Sequence, residues 1–408
     1  MRELFCRLGA ALLVLLGWML AHSASAHATA IAEEGVPRIG IVTMSPGEEY
    51  WARFGHNAVV VEDPARGLVL SYNYGYFDFD QPGFLARFLR GEMRYQLVVM
   101  TLDEDLRSYA AEGRGASLQW LSLRPDQAHA VRDFLAWNAL PENAEYRYDY
   151  FADNCSTRVR DVLDRALDGH LGRQMSGRSH GLTYRTEALR LGAGVPWLHL
   201  GMHVGLGPYA DRPLSIWEEA FVPQRLADAL GRASNSDGAP LVSEQLTLLP
   251  DRLGLERPAA PNLRWHFALV GIVLALALLW LLRARAGRGA RLAGAVLAGS
   301  IYALCGFGSL LLLALWAFTA HVAGHGNENL LLLNPLCLLL LLALPALARG
   351  DAVRPWLRRV AMIVLACAAL ALFLRFLPFR IQNNGDFIVL FGPIHAALAW
   401  RFSRRSAQ

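Results

Sequence analysis

The pattern of apolar and polar positions divides this 408-residue chain into two parts. Up to about residue 264, apolar residues come in short runs broken by polar ones, as is typical of a globular domain. Beyond that point five long apolar runs follow one another, at 266–282, 292–317, 330–348, 360–377 and 388–400. The first four are long enough to cross a bilayer as helices, and the fifth is marginal. We therefore predict an all-α membrane domain, residues 265–402, with four or five transmembrane helices.

The first 26 residues have the pattern of a secretory signal peptide. Arg2 and Arg7 precede an apolar run of about 14 residues, and the small residues Ala-Ser-Ala follow at 24–26. An uncleaved membrane anchor is the alternative. With 54% hydrophobic residues and a mean hydropathy of +0.26, the whole chain is too apolar for an ordinary soluble protein.

The charges around the apolar runs predict the topology. Segments 283–291 and 349–359 and the C-terminal tail are rich in arginine, whereas the loop 319–329 contains none. Basic loops stay in the cytoplasm, so the globular domain is expected on the opposite side. We predict a multi-pass protein of the bacterial inner membrane whose globular domain, residues 27–233, lies in the periplasm and is joined to the membrane by a linker, residues 234–264. The net charge of +4 is small, and nucleic acid is not an expected partner.

One cysteine of the globular domain has unusual surroundings. Cys155 stands where the polar stretch before it gives way to an amphipathic helix, marked by apolar residues at 159, 162, 163 and 166. A helix N-terminus stabilises a thiolate and lowers the pKa of a thiol. As the only cysteine of the exported domain, Cys155 has no partner there for a disulfide. We predict a nucleophile; a buried structural thiol is the alternative.

A thiol nucleophile requires a base, and His56 is the best placed of the domain's histidines. It precedes the β-branched run 58–61, a turn follows near 64–67, and a second strand comes after it. Counting back across this hairpin places His56 opposite Asn73 and Tyr74, which predicts a Cys155–His56–Asn73 group. His129 is expected on a solvated helix. No metal-ligand motif is present, so neither a metal nor another cofactor is expected.

Longer motifs resemble a known family. The segments FGHNAVVVED, SYNYGYFDFDQPGFLARFLRGEMRY, YRYDYFADNCSTRVRDVLD, TYRTEALR and DRPLSIWEEAFVP resemble, in this order, the Lnb N-terminal periplasmic domain family, which includes bacterial lipoprotein N-acyltransferases. A more distant similarity is to permuted papain-like enzymes. The resemblance implies an α+β, permuted papain-like periplasmic domain with Cys155 as nucleophile and His56 as base. It does not fix the third residue, for which Asp78, Asp153 and Asp211 are alternatives to Asn73.

Two enzymatic functions follow from this group. The first is a lipoprotein N-acyltransferase, which moves an acyl chain from a phospholipid donor through a Cys155 thioester to the α-amine of a diacylglyceryl lipoprotein. The second is an NlpC-type cysteine peptidase or amidase acting on cell-wall peptides; a binding module with an inactive site is a third possibility. The membrane spans favour the lipid substrate. Candidate substrate contacts, near the thiol or in the loop 319–329, are Asn154, Tyr74, Arg158, His321 and Asn327. A solvated surface loop is the alternative for the last two.

Overall fold

The computed structural model describes residues 35–403, so the predicted signal peptide lies outside the described residues. A seven-stranded antiparallel sheet forms the centre of the globular part, with the strand order β6-β4-β3-β2-β1-β5-β7. The strands are β1 (Arg38–Met44), β2 (His56–Asp63), β3 (Leu68–Tyr76), β4 (Arg94–Thr101), β5 (Ala116–Leu121), β6 (Glu145–Arg147) and β7 (Val242–Leu249).

Helices cover both faces of the sheet. Those of the globular part are α1 (Phe84–Arg90), α2 (Leu102–Ala111), α3 (Pro125–Asn138), α4 (Pro141–Ala144), α5 (Cys155–Ala166), α6 (His170–Met175), α7 (Tyr184–Gly192), α8 (Pro196–Gly205), α9 (Ile216–Glu219) and α10 (Pro223–Leu230). In β2, Val59 and Val61 pack with α3, α5 and α10, whereas Ala58 and Val60 pack on the opposite face with α2. Because both faces are covered, β2 is an unbroken apolar run rather than an alternating one.

The predicted hairpin is confirmed. Strands β2 and β3 pair antiparallel, with Val61 opposite Leu70 and Val59 opposite Tyr72. Further along β3, the register with β4 shifts between Tyr74 and Tyr76. Gly75 at this bulge has φ +102°, a conformation that side chains with a Cβ rarely adopt. The bulge ends the regular pairing of β3 beside the first residue of β2.

The predicted linker 234–264 is wrong in part, because it contains a strand of the sheet. Strand β7 pairs with β5, so that Trp120 lies opposite Glu244 and Leu118 opposite Leu246. As an edge strand it carries mostly exposed side chains, which hides its role in the sequence pattern.

The apolar C-terminal part is helical, but it has fewer candidate spans than predicted. Its helices are α11 (Arg264–Leu281), α12 (Arg288–Phe318), α13 (Cys337–Leu340), α14 (Leu344–Arg349), α15 (Pro355–Leu374) and α16 (Gly385–Ser403). Within residues 35–403, only α11, α12 and α15 are long and apolar enough to cross a membrane. Helix α16 has a suitable length, but Asp386, Arg401 and an interior Pro393 interrupt its apolar residues.

The third predicted span, 330–348, is broken into short helices. Two 3-10 turns, Glu328–Leu331 and Leu341–Ala343, alternate with α13 and α14. Pro335 and Pro345 each lack the N–H that a continuous helix would use, and proline rings clash with the preceding turn. The loop before this segment touches the globular part, where Ala320 N–H donates to the Arg90 carbonyl at 2.7 Å and Gly207 N–H donates to the Ala323 carbonyl at 2.7 Å. The loop and the globular part therefore lie on the same side of the helices, as the basic segments predicted.

Candidate active site

Cys155 is the first residue of helix α5, as predicted. The Asn154 side chain caps this helix by accepting a hydrogen bond from Thr157 N–H at 3.0 Å, and the Thr157 hydroxyl accepts in return from Asn154 N–H at 2.8 Å. This capping box fixes the first turn, so the thiol stands at the positive end of the helix dipole. The thiol is half-buried.

A second contact seats α5 on the sheet. The Ser156 hydroxyl donates to Asn57 Oδ1 at 2.8 Å, and Asn57 Nδ2 donates to the Thr43 hydroxyl of β1 at 2.8 Å. All three side chains are buried. The backbone N–H groups of Asn57 and Ser156 also hydrogen-bond to the Cys155 sulfur. Strand β2, which carries His56, thus also helps to stabilise the thiolate through the adjacent residue Asn57.

His56 and Cys155 lie at the end of the sheet, close enough for each to shift the pKa of the other. Burial raises the pKa of Cys155, but the His56 imidazolium and the hydrogen bonds to the sulfur outweigh it, so the pKa lies below its usual value. Burial lowers the pKa of His56, but the Cys155 thiolate and the hydrogen bonds from Cys155 and Asn73 outweigh it, so the pKa lies above its usual value. Each group therefore favours the charged form of the other, which favours a thiolate–imidazolium ion pair.

Asn73 orients the His56 ring. Its Oδ1 lies 2.9 Å from His56 Nε2, and its Nδ2 donates to Asp105 Oδ2 and to the Ser71 hydroxyl, both at 3.1 Å. The Asp105 carboxylate accepts hydrogen bonds when it is ionised, and this fixes the direction of the Asn73 amide. The amide oxygen must then accept from His56, so Nε2 carries a proton and Nδ1 is left to exchange one with Cys155.

Asp105 is the fourth residue of this hydrogen-bonded group, and the sequence analysis did not predict it. It lies on α2, is only 4% exposed and also accepts from the Ser71 hydroxyl at 2.6 Å. A signal was available in the sequence. Asp105 shares one face of α2 with Leu102, Leu106 and Tyr109, so it is a carboxylate on an apolar stripe. Its charge raises the pKa of His56.

Aromatic side chains surround the pair. The Tyr109 ring lies parallel to His56, with ring centroids 6.4 Å apart. A Cβ placed on Gly75 would lie 3.6 Å from Cys155 Cβ, 3.9 Å from the Tyr146 hydroxyl and 4.0 Å from Tyr148 Cε2. Gly75 therefore permits the positive φ of the bulge at the point where the strand passes the thiol. The site can place a nucleophile against a carbonyl carbon, with tyrosine rings excluding water around it.

Comparison with known families supports the resemblance carried by the motifs. Residues 34–186 match the family model of the Lnb N-terminal periplasmic domain. This segment is similar to that family, and we call the globular part that contains it the Lnb domain. The matched segment runs from before β1 into α7 and includes Cys155, His56, Asn73 and Asp105. The searches of curated proteins and of solved structures found no match. The family and the three apolar helices together indicate a membrane protein with a periplasmic, enzyme-like domain.

Three predicted substrate contacts have structural roles in the Lnb domain. Tyr74 points to the opposite face of β3 from Asn73, is buried, and donates to Asn138 Oδ1 at 2.6 Å. Arg158 binds the Asp153 carboxylate, with Nη2 to Oδ2 at 2.7 Å, and lies over the Tyr146 ring. Asn154 is the helix cap, and its Nδ2 donates to the carbonyls of Tyr150 and Phe221. These side chains are committed to holding the fold around the thiol.

The two predicted contacts in the loop 319–329 attach the membrane part to the Lnb domain. His321 Nε2 lies 3.0 Å from the Phe88 carbonyl, and its ring stacks on Tyr150 with centroids 6.2 Å apart. Asn327 is buried, and its Nδ2 donates to the carbonyls of 204, 205 and 206 at 2.8, 3.0 and 3.3 Å. The expectation of a solvated loop is wrong for both residues, because the loop is packed on the domain.

The three alternative carboxylates have partners elsewhere. Asp153 binds Arg158, Asp211 binds the buried Arg185 with both carboxylate oxygens at 2.9 Å, and Asp78 Oδ1 accepts from Asp80 N–H in a turn. His129 lies on α3, as predicted, away from this group. Within residues 35–403, no group of three or more histidine, cysteine or acidic side chains is arranged to hold a metal ion.

Proposed function

We propose that the protein is a lipoprotein N-acyltransferase that uses Cys155 as its nucleophile. The observation that supports this most strongly is the Cys155–His56 pair, oriented by Asn73 and Asp105, in a domain that packs on apolar helices. The Lnb family match agrees with an enzyme of the membrane surface. We further propose that the spans lie in the bacterial inner membrane, as a multi-pass bundle, and that the Lnb domain faces the periplasm.

The domain is, on this proposal, a permuted papain-like enzyme. In such enzymes a cysteine at a helix start faces a histidine on a strand, and an amide or a carboxylate orients the histidine. Here the histidine strand β2 comes before the cysteine helix α5 in the chain. The papain-like geometry then results from the packing of α5 against β2 and β3.

The first half-reaction forms a thioester. The Cys155 thiolate attacks the carbonyl carbon of a phospholipid ester, and N–H groups at the start of α5 stabilise the oxyanion of the tetrahedral intermediate. The carbon–oxygen bond then breaks. The protonated His56 gives its proton to the departing alkoxide, so a lysophospholipid leaves and the acyl chain stays on the sulfur.

The second half-reaction transfers the chain. The free α-amine of a diacylglyceryl lipoprotein attacks the thioester carbonyl, neutral His56 removes a proton from the nitrogen, and the carbon–sulfur bond breaks to regenerate the thiolate. The thioester must survive until the amine arrives. The half-buried thiol, the surrounding tyrosines and the packed loop 319–329 support the required exclusion of water.

Complementation tests the proposal directly. The gene is expressed in a strain that lacks its own lipoprotein N-acyltransferase, and mass spectrometry measures the mass of the lipoprotein N-terminus. We expect growth and one added acyl chain with the wild-type protein, and neither with Cys155→Ala at an equal protein level. In a second assay, purified protein and phospholipid alone should yield a hydroxylamine-sensitive acyl adduct on Cys155. Cleavage of muropeptides with no acyl adduct would instead establish the peptidase alternative.

A further inference from the structure

Helix α8 exposes a face without a single charged residue. Its sequence is PWLHLGMHVG, and Pro196, Trp197, Leu200 and Gly201 point outward, with Trp197 62% exposed. A soluble helix normally presents polar side chains to water. Tryptophan and leucine on an exposed helical face are typical of a helix that lies in a membrane interface.

The opposite face of α8 fixes this helix at the level where the spans begin. His203 Nε2 lies 3.2 Å from Asp386 Oδ2 in the first turn of α16, and Arg264 at the start of α11 binds Asp386 Oδ1 at 3.1 Å. The His203 ring also packs against Phe387, with centroids 4.7 Å apart. The C-terminal half of α8 is therefore held at the outer ends of α11 and α16 through its buried face, which leaves Trp197 and Leu200 exposed at that level.

Helix α1 repeats this arrangement on the other side of the site. Leu85 and Leu89, four residues apart and hence on one face, are 66% and 60% exposed. The C-terminal end of α1 is tied to the loop after α12 through the contact of Arg90 with Ala320 and that of the Phe88 carbonyl with His321. Both α1 and α8 thus end on the segment 319–329.

Exposed aromatic side chains connect the two helices. Neighbouring rings run from Trp197 of α8 to Tyr50, Trp51 and Phe79, with centroids 5.4, 4.6 and 5.7 Å apart. Phe79 in turn lies 5.2 Å from Phe84 of α1. We call the exposed side chains of this set the apolar rim: Tyr50, Trp51, Phe79, Leu85, Leu89, Trp197 and Leu200.

The apolar rim leads to the thiol. Phe79 contacts Phe77 at 4.9 Å, Phe77 stacks on Tyr95 at 4.9 Å, and Tyr95 stacks on Tyr148 at 4.2 Å between centroids. Tyr148 is the ring beside Gly75 and Cys155. A continuous line of packed aromatic rings therefore connects the rim to the side chains beside the nucleophile.

We propose that the apolar rim is embedded in the outer surface of the lipid bilayer, with α1 and α8 lying in the boundary between headgroups and acyl chains. The occupant is the membrane lipid itself, because both helices are fixed to the outer ends of the spans, where a large exposed apolar side chain such as Trp197, Leu85 or Leu89 would meet the bilayer. We also infer that the acyl donor moves sideways from the bilayer to Cys155 at this contact, and this inference rests on the proposed function. The membrane contact itself is independent of the proposed function.

Site-specific fluorescence tests the contact. In the full-length protein with Cys6, Cys155 and Cys367 replaced by serine, only the buried Cys305 and Cys337 remain of the five native cysteines, and one added cysteine at Leu89, Leu200 or Leu68 carries an NBD label. Leu68 is the matched control, an exposed leucine at the far end of β2 and β3 from His56. In nanodiscs that contain phospholipid spin-labelled near the headgroup, we expect blue-shifted, strongly quenched emission at 89 and 200 and water-like, unquenched emission at 68.

Two results would overturn the proposal. Water-like emission at both 89 and 200 means that the rim is open to solvent. Blue-shifted emission without quenching by the labelled lipid means that a protein, such as a second copy of this chain, covers it.

Enzyme activity provides a second test of the membrane contact. The variant Leu89→Asp/Leu200→Asp should lower kcat/KM for phospholipid in vesicles at least about tenfold, since each substitution removes a buried leucine from the bilayer contact, whereas Leu68→Asp should have no effect. Alkylation of Cys155 by iodoacetamide, which needs no lipid, identifies any variant that has not folded. Quenching at 89 and 200 in the labelled variants, combined with no acyl transfer by the wild-type protein, would uphold the membrane contact and reject the proposed function.

Discussion

Replacing Asp105 by asparagine tests whether the buried carboxylate assists the Cys155–His56 pair. The substitution keeps the shape of the side chain and an oxygen that can accept from the Ser71 hydroxyl, which donates to Asp105 Oδ2 at 2.6 Å in the wild-type protein. It removes the negative charge. It also allows the Asn73 amide to turn, because the new side chain can donate as well as accept. We expect the ion pair to weaken while the domain stays folded.

The size of the expected effect follows from the distance between Asp105 and His56. Asn73 bridges the distance, with 2.9 Å from His56 Nε2 to its Oδ1 and 3.1 Å from its Nδ2 to Asp105 Oδ2. Two hydrogen bonds and one amide group make a separation of about 7 Å, at which one unit charge changes the free energy of the imidazolium by about 2 kcal/mol for an effective dielectric constant of about 20. That energy corresponds to about 30-fold in the population of the ion pair.

The population of the ion pair is measured by the rate at which iodoacetamide alkylates Cys155, recorded as a function of pH. The carboxylate raises the pKa of His56, so its loss should lower that pKa, and the ion pair should be depleted as pH rises through the lowered value. Near pH 7 we expect alkylation to slow by about 10- to 30-fold. Asp103→Asn is the matched control, because Asp103 lies on the same helix with a side chain that is 80% exposed. An alkylation profile of Asp105→Asn that coincides with wild type would refute the reasoning.

Further substitutions test the remaining groups. Cys155→Ser and Cys155→Ala should abolish acyl transfer at equal protein level, and more than about a tenth of the activity remaining in Cys155→Ala would exclude it as the nucleophile. His56→Ala should lower kcat about 100- to 10,000-fold while His129→Ala is silent; the reverse pattern would make His129 the base. Alkylation of wild-type Cys155 should reach half its maximum below the usual thiol pKa of about 8.5, and in His56→Ala the midpoint should move up; equal midpoints would exclude the ion pair. Gly75→Ala should cost about 1–3 kcal/mol in the free energy of unfolding because of the positive φ, whereas Gly177→Ala, which has open space around it, should not; equal stability of the two variants would contradict the bulge geometry.

The local parts of the site could be predicted from the sequence because their signals are local. The β-branched run and the turn residues define the hairpin. Its observed register, continued from Val59 opposite Tyr72, would place His56 opposite Gly75, one residue beyond the predicted Asn73 and Tyr74, and His56 reaches Asn73 through its side chain. The polar residues before an amphipathic stretch define the start of α5, and with it the position of Cys155. Each of these features is set by residues within about 20 positions of one another, where periodicity is informative.

Long-range features could not be obtained in this way. Asp105 joins the site only because α2 packs on the sheet face that carries Asn73, a contact that no local pattern encodes. Strand β7 pairs with β5 across more than one hundred residues of intervening chain. The broken span 330–348 shows a different limit, because hydropathy measures how apolar a segment is and not whether Pro335 and Pro345 leave its helix continuous.

The coupling of the thiol to the membrane depends on residues outside the matched family segment. The match ends at residue 186, whereas α8, with its tie from His203 to Asp386, and the loop that stacks His321 on Tyr150 come later in the chain. Tyr150 precedes Cys155 by five residues and contacts Tyr148, so the loop bears on the ring that shields the sulfur. The proposed thioester would stay intact only where water is excluded, and the packing of His321 on Tyr150 leads us to expect that this exclusion depends on the membrane part. The isolated Lnb domain should therefore keep the Cys155–His56 pair and yet hydrolyse the acyl chain that the full-length protein transfers.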